Sequence, residues 1–145
     1  MEIRKITKLP SDIEKLVRES ETEGFAFVRR LQHEWEEAVN RFDSVGEFLF
    51  LASCSNQSIG ICGVNADPYL SDIRVFRLRH LYVLRAYRSQ YVGSSLVRAC
   101  LENLHDTTSL IRLRVPEIDT GRFYEKLGFK AVNDTTATHV FRCKK

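Results

Sequence analysis

At 145 residues, 43% hydrophobic and 28% charged, the chain has the size and composition of one ordinary globular domain, long enough to bury a real core. Its net charge of +3 is too small to argue for nucleic acid, and no apolar run approaches the ~20 residues that a bilayer span needs. The charge is uneven: residues 1–50 carry 11 acids and 8 bases, and residues 51–145 carry 8 acids and 14 bases. That split fits a basic half for an anionic cofactor and an acidic half for a cationic acceptor.

The segment Met1-Glu2-Ile3-Arg4-Lys5 lacks the apolar core of a signal peptide. Cys54, Cys62, Cys100 and Cys143 form no CxxC pair, and no His stands at zinc-like spacing from them. They read as reduced, mostly buried small residues of a cytoplasmic protein with no metal site.

Along the chain, residues 2–6 alternate as a short strand. Pro10-Ser11-Asp12-Ile13-Glu14 predicts a helix start, with Ser11 as N-cap and Glu14 as its capping-box partner. Ile13, Leu16 and Val17 give that helix a buried stripe. A second helix is predicted over residues 25–42, where Val28, Leu31, Trp35, Val39 and Phe42 recur at helical spacing. Residues 48–54 and 59–64 read as a hairpin turning at Asn56, and Gly60 and Gly63 mark a bulge or a close backbone approach. Asp67-Pro68 ends it, and residues 74–83 form a long strand. Phe76 and Leu78 share one face there, whereas Leu81 and Val83 fall on the other. A period of two permits this only with an extra residue, which predicts a β-bulge near Arg79 or His80 and a backbone N–H released to polarise an acyl oxygen.

The stretch Arg88-Ser89-Gln90-Tyr91-Val92-Gly93-Ser94-Ser95-Leu96 follows that strand and opens an amphipathic helix running to about residue 105. A strand, a Gly/Ser/Arg-rich turn and a helix start make a place to hold phosphate: free N–H groups and the positive end of the helix dipole converge there. Residues 110–115 then alternate as a strand. Asp119 or Thr120 is expected to cap a short helix containing Phe123 and Leu127, which Gly128 ends in the left-handed conformation with Phe129 packed back on it. Residues 129–132 and 138–143 are the last strands. The order is β, two helices, three strands, helix, strand, helix, two strands: a mixed α/β single domain over residues 1–145, with a largely antiparallel sheet flanked by helices.

Two motifs carry a resemblance. His80-Leu81-Tyr82-Val83 followed by Arg88-x-x-Tyr91-x-Gly93-Ser94 is similar to the acyl-CoA motif of the GCN5-related N-acetyltransferase superfamily. Phe123-Tyr124-Glu125-Lys126-Leu127-Gly128-Phe129 resembles the superfamily's late helix signature. The resemblance covers the whole chain in element order and implies the acetyltransferase fold, acetyl-CoA as cosubstrate, and transfer of acetyl to a primary amine by direct attack in a ternary complex. It departs at four positions: Tyr91 stands where the first motif Gly is usual, Glu117 where many relatives carry Asn, Thr120 where many carry Ala, and Arg77 near where some keep a strand Glu as base.

The roles implied are these. Arg88, Ser89, Gln90, Tyr91, Val92, Gly93 and Ser94 surround the pyrophosphate, largely through N–H groups. Leu81, Tyr82 and Val83 offer a strand edge to the pantetheine, and Glu117 contacts the CoA. Tyr124 is the general acid for the leaving thiolate. An alkyl ammonium with a pKa of roughly 10.4 is neutral in only about one molecule in two thousand at pH 7, so a base or a water relay helps; His80 and Glu34 are the candidate bases. The acceptor is a small cationic amine, a peptide or a protein amine. A non-catalytic acyl-CoA sensor on the same fold is the alternative. A third reading, nucleic-acid association through a basic sheet patch of Arg74, Arg77, Arg79, Arg112 and Arg114, lacks interleaved aromatics. The expected state is a monomer or a homodimer with no membrane partner.

Overall fold

The structure, a computed structural model, describes residues 1–143. Its elements follow the predicted order: strand β1 (Glu2–Ile6), helices α1 (Ile13–Thr22) and α2 (Phe27–Glu36), strands β2 (Phe48–Cys54), β3 (Gln57–Ala66) and β4 (Val75–Val83), helix α3 (Val92–Glu102), strand β5 (Leu110–Leu113), helix α4 (Ile118–Lys126), and strands β6 (Lys130–Ala131) and β7 (His139–Arg142). They build one mixed sheet in the order β1-β2-β3-β4-β5-β7-β6, antiparallel throughout except between β4 and β5. Among the described residues no helix is long and apolar enough to cross a membrane.

The parallel pair positions the site. β4 and β5 share three rungs, Val75 with Leu110, Phe76 with Ile111 and Arg77 with Arg112. β5 ends at Leu113 while β4 continues to Val83, so residues 78–83 present a strand edge that β5 does not pair. The last rung sets two arginines side by side. Buried like charges need a counter-ion, and Asp67 supplies it: its Oδ2 accepts from Arg77 Nη1 at 3.3 Å and from Arg112 Nη1 at 2.9 Å. The remaining guanidinium donors reach Thr136, its carbonyl from Arg77 and its hydroxyl from Arg112, both at 2.6 Å. This corrects the basic sheet patch: Arg77 and Arg112 are buried and neutralised rather than offered to a polyanion.

Period-two alternation distributes β3 between the two faces of the sheet. Cys62 lies under α3, whose Cys100 Sγ approaches its carbonyl at 3.8 Å. A Cβ on Gly60 would stand 3.0 Å from Leu96 of the same helix. Gly63 faces the other way, where a Cβ would collide with Phe42 at 2.6 Å and Leu49 at 2.9 Å. Glycine is therefore required there by close approach. The predicted bulge is present in β4. Ile61 pairs with Tyr82 and Gly63 with Arg79, so one residue of β3, Cys62, opposes two of β4, His80 and Leu81, and His80 takes a left-handed φ of 62°.

Three local expectations are corrected. The second helix stops at Glu36 rather than residue 42. Ala38 turns left-handed (φ 60°), the N–H groups of Val39 and Asn40 both close on the Glu34 carbonyl, and Val39 is 68% exposed. Phe42 still reaches the core, stacked on Trp35 with ring centroids 6.4 Å apart, but as a loop residue. The Ser11–Glu14 capping box does not form. Asp12 is the N-cap, and its carboxylate accepts from the Ser58 N–H and hydroxyl (2.9 and 2.6 Å), while Glu14 pairs with Arg29. Helix α4 begins after Glu117, with no side-chain cap from Asp119 or Thr120. Its far end is as expected: Gly128 has φ 102°, the Phe129 N–H reaches the Tyr124 carbonyl at 3.1 Å, and the rings of those two residues pack edge-on at 5.6 Å.

Candidate active site

The phosphate-type turn is built from backbone. After β4 a short 3-10 turn at Arg85–Tyr87 leads into residues 88–91, and α3 opens at Val92. The first bond into α3 runs from the Ser95 N–H to the Tyr91 carbonyl at 3.0 Å. Before it, the six consecutive N–H groups of residues 89–94 have no acceptor among the described residues. Ser89 and Tyr91 both adopt left-handed backbone (φ 64° and 65°), which turns successive N–H groups toward one concavity at the positive end of the helix. Tyr91 holds the conformation a glycine would favour, with its ring 80% exposed. A Cβ at Gly93 would meet nothing closer than Phe123 at 3.5 Å, so the fold itself does not demand glycine there.

A carboxylate missed in the sequence anchors this turn. Glu23, the C-cap of α1, accepts a bidentate pair from Arg88 at 2.9 and 2.6 Å, a bond from Arg85 at 3.0 Å, and lies 2.6 Å from the Tyr82 hydroxyl. The Arg88 guanidinium, then the Tyr82 hydroxyl and Arg85, hold the Glu23 carboxyl down at about 2. Arg88 Nε also donates to the Val83 carbonyl at 3.0 Å. The Arg88 side chain is thus committed to locking β4 to α1. The Tyr82 ring lies between Arg88 (5.4 Å) and Phe27 (6.2 Å), with its hydroxyl also 2.8 Å from Glu19. No local pattern marks Glu23, which lies 65 residues from Arg88.

A cleft of about 1200 Å³ opens where β4 leaves β5. Leu81, Tyr82, Val83, Arg88, Ser89, Tyr91, Val92, Gly93, Ser94, His80 and Tyr124 all line it. Gln90, Glu117 and Glu34 do not. The Gln90 amide donates to the Ala86 carbonyl at 3.3 Å, Glu117 is exposed ahead of α4, and Glu34 sits half-buried on α2. Tyr124 is 8% exposed and its hydroxyl has no hydrogen-bond partner among the described residues. Burial, with the Cys62 and Cys100 thiols nearby, pushes its phenol well above the ordinary range, so it stays protonated and free to donate.

His80 is also buried, stacked on Phe27 at 6.2 Å and edge-on to Phe42 at 6.0 Å. Neither ring nitrogen has a partner. Burial, then the charges of Arg79 and Arg30, push its pKa down to about 3, so the imidazole is neutral at any working pH. Several acids of the N-terminal third are already paired: Glu14 and Glu21 hold Arg29, Glu19 and Glu23 hold the turn, and Glu47 caps the Ala66 N–H. Among the described residues that line the cleft there is no Asp or Glu, whereas Arg30, Arg79, Arg98, Arg114 and Lys126 all reach it. The acidic surround expected for a cationic acceptor is absent from this cleft.

Known proteins share this fold. A candidate acetyltransferase from Exiguobacterium sp. 255-15 superposes with a TM-score of 0.85 at 27% identity, covering 97% of this chain and 92% of that one. A GNAT family acetyltransferase from Elizabethkingia anophelis with acetyl-CoA bound shares the fold at TM-score 0.65 and 14% identity, covering 98% and 97%. The PaiA N-acetyltransferase of Thermoplasma acidophilum, in complex with coenzyme A, does so at 0.64 and 17%, covering 99% and 100%. No curated protein matches the sequence. Residues 46–131, more than half of the chain, match the acetyltransferase (GNAT) domain, and the chain belongs to the GNAT acetyltransferase family.

Proposed function

We propose that this protein transfers the acetyl group of acetyl-CoA to a primary amine, by direct attack within a ternary complex. The observation that carries the reading is the run of six unpartnered N–H groups at residues 89–94, placed at the end of an unpaired strand edge. The turn holds the pyrophosphate, with Gly93 leaving space for it, and residues 81–83 pair with the pantetheine in the manner of an added strand. That the Elizabethkingia and Thermoplasma proteins hold acetyl-CoA and CoA supports the same ligand here.

Acetyl-CoA, when bound, supplies an activated thioester. The chain's own residues do the rest. The β4 bulge at His80 re-aims the strand edge toward the cleft. Tyr124, kept protonated by burial, donates a hydrogen bond to the departing sulfur and stabilises charge as it forms there. Among the described residues no carboxylate lines the cleft, and His80 is held neutral, so the amine's proton leaves to water rather than to a fixed carboxylate. The same lack of a carboxylate is what favours the second reading, an acyl-CoA sensor that binds and does not turn over.

The test is release of CoA thiol from acetyl-CoA against a broad amine panel, with Tyr124→Phe beside it. Turnover is expected to fall tenfold or more in the variant with acetyl-CoA affinity nearly unchanged. Full activity in Tyr124→Phe removes the residue from the mechanism. Thermal stabilisation by acetyl-CoA with no thiol release on any amine replaces the enzyme by the sensor.

A further inference from the structure

Back along β4 from the turn, the cleft is lined by Arg79 and His80, with Phe27 against His80, Phe25 against Phe27, and Arg30 near Arg79. Arg79 stands four strand residues before Val83, roughly 13 Å along β4, so it is too far from the turn to serve the pyrophosphate. Its guanidinium is half-buried yet uses one of its five donors, Nη1 to Asn65 Oδ1 at 3.3 Å. Burial pulls it below its ordinary pKa, partly offset by Glu34 and reinforced by Arg77 and Arg30. The Arg30 guanidinium has no hydrogen-bond or ion-pair partner among the described residues. His80 packs behind them, 7% exposed and with both ring nitrogens shielded from solvent. Buried polar groups in folded proteins are satisfied in the great majority, and here the half-buried Arg79, with a single partner, stands beside the exposed and unpaired Arg30 along one cleft. Phe25 and Phe27, 5.6 Å apart, supply an apolar wall beside them.

We propose that this end binds the acceptor as an amine that also bears an oxyanion, the carboxylate of an amino acid with an apolar side chain or the phosphate of an aminoalkyl phosphate, with Arg30 and Arg79 on the oxyanion. This rests on the acetyl-transfer reading above. The charges favour it over a polyamine. A polycation would bring further positive charge against Arg30 and Arg79 with no carboxylate to receive it. An amino acid instead places its negative group on the two cations and its hydrocarbon on the two phenyl rings. The same cations disfavour an ammonium beside them, which lowers the pKa of the bound amine and promotes the neutral nucleophile. The cleft thereby does through its field what a fixed base does in a carboxylate-lined site.

The experiment pairs isosteres. Thiol release from acetyl-CoA is compared for phenylalanine, phenylalanine amide, 2-phenylethylamine, 2-aminoethyl phosphate and spermidine. Binding of the same five compounds to CoA-saturated protein is measured by calorimetry. Phenylalanine is expected to exceed 2-phenylethylamine at least tenfold in kcat/KM and in affinity. Arg79→Gln and the more exposed Arg30→Gln are each expected to erase most of that preference while leaving acetyl-CoA affinity intact. A winning 2-aminoethyl phosphate names phosphate as the source of the oxyanion and supports the proposal. Preference for spermidine, or equal binding of phenylalanine and 2-phenylethylamine, overturns it. If acetyl-CoA binds and no amine releases thiol, the transfer reading falls, and the calorimetric comparison still decides whether this end selects an oxyanion.

Discussion

The two ends of the cleft are made of different material. The coenzyme end is backbone: six N–H groups from consecutive residues, shaped by two left-handed positions and one glycine. The proposed acceptor end is side chain, with Phe25 from the α1–α2 connection, Phe27 and Arg30 from α2, and Arg79 from a bulged strand. A backbone site fixes what it binds by local geometry and tolerates many side chains. A side-chain site selects by charge and shape and changes with single substitutions. The first suits a cosubstrate common to a family; the second suits a private acceptor.

The largest expected effect strikes the backbone end. In the proposed complex the methyl of Gly93→Ala enters the space the pyrophosphate needs, while its nearest protein neighbour is 3.5 Å away. Acetyl-CoA affinity should drop tenfold or more with the melting temperature almost unchanged. An unaltered dissociation constant would place the phosphates elsewhere. Next comes Glu23→Gln, which removes the anion that Arg85, Arg88 and Tyr82 share. A several-fold loss of acetyl-CoA affinity is expected, because the turn is no longer tied to α1. Glu23 has a folded-state pKa near 2, below the ordinary Glu value, so its contribution is complete above about pH 4.3 and fades as pH falls toward 2. Loss of folding stability on acidification through that window in the wild type, absent from Glu23→Gln, is the matching signature.

The same division explains what was legible in the sequence. The turn at residues 88–94, the Gly128 stop and the Tyr124 helix are local signals, spelled by neighbours in the chain. The bulge at His80 was legible from the parity of Phe76 and Leu78 against Leu81 and Val83, since alternation is a local rule as well. Glu23 left no such trace, because its meaning comes from Arg88 across 65 residues. Asp12 was invisible as the partner of Ser58 for the same reason. The stripe ending at Val39 and Phe42 misled because a residue can return to the core from a loop. Once Ala38 turns left-handed, Phe42 packs on Trp35 while Val39 faces solvent. The acidic N-terminal third suggested a cation site, but composition counts charges without saying which are already paired.

At the acceptor end, His80→Asn separates packing from titration. Asn tolerates the left-handed backbone that His80 occupies. In the wild type the folded pKa of about 3 lies below the unfolded value of about 6.5, so the unfolded chain takes up a proton that the folded one excludes. Stability is then full above pH 6.5 and declines as pH falls toward 3, by about 2 kcal/mol between pH 7 and pH 5. Denaturant titrations at those two pH values should show that difference in the wild type and lose most of it in His80→Asn. An equal loss in both proteins would assign the acid sensitivity to other groups.

The smallest effect is expected from Glu34→Gln. Glu34 sits half-buried on α2, outside the lining of the cleft, and its visible influence is on the charge of Arg79. If the amine's proton leaves to water, removing this carboxylate should change turnover less than twofold. If anything it should sharpen the preference for an oxyanion-bearing acceptor, because Arg79 then faces the cleft without a competing negative charge. A tenfold fall in kcat, with a basic limb lost from the pH–rate profile, would instead make Glu34 the base acting through a bridging water. The field of Arg30 and Arg79 would then be secondary to proton removal at the acceptor end.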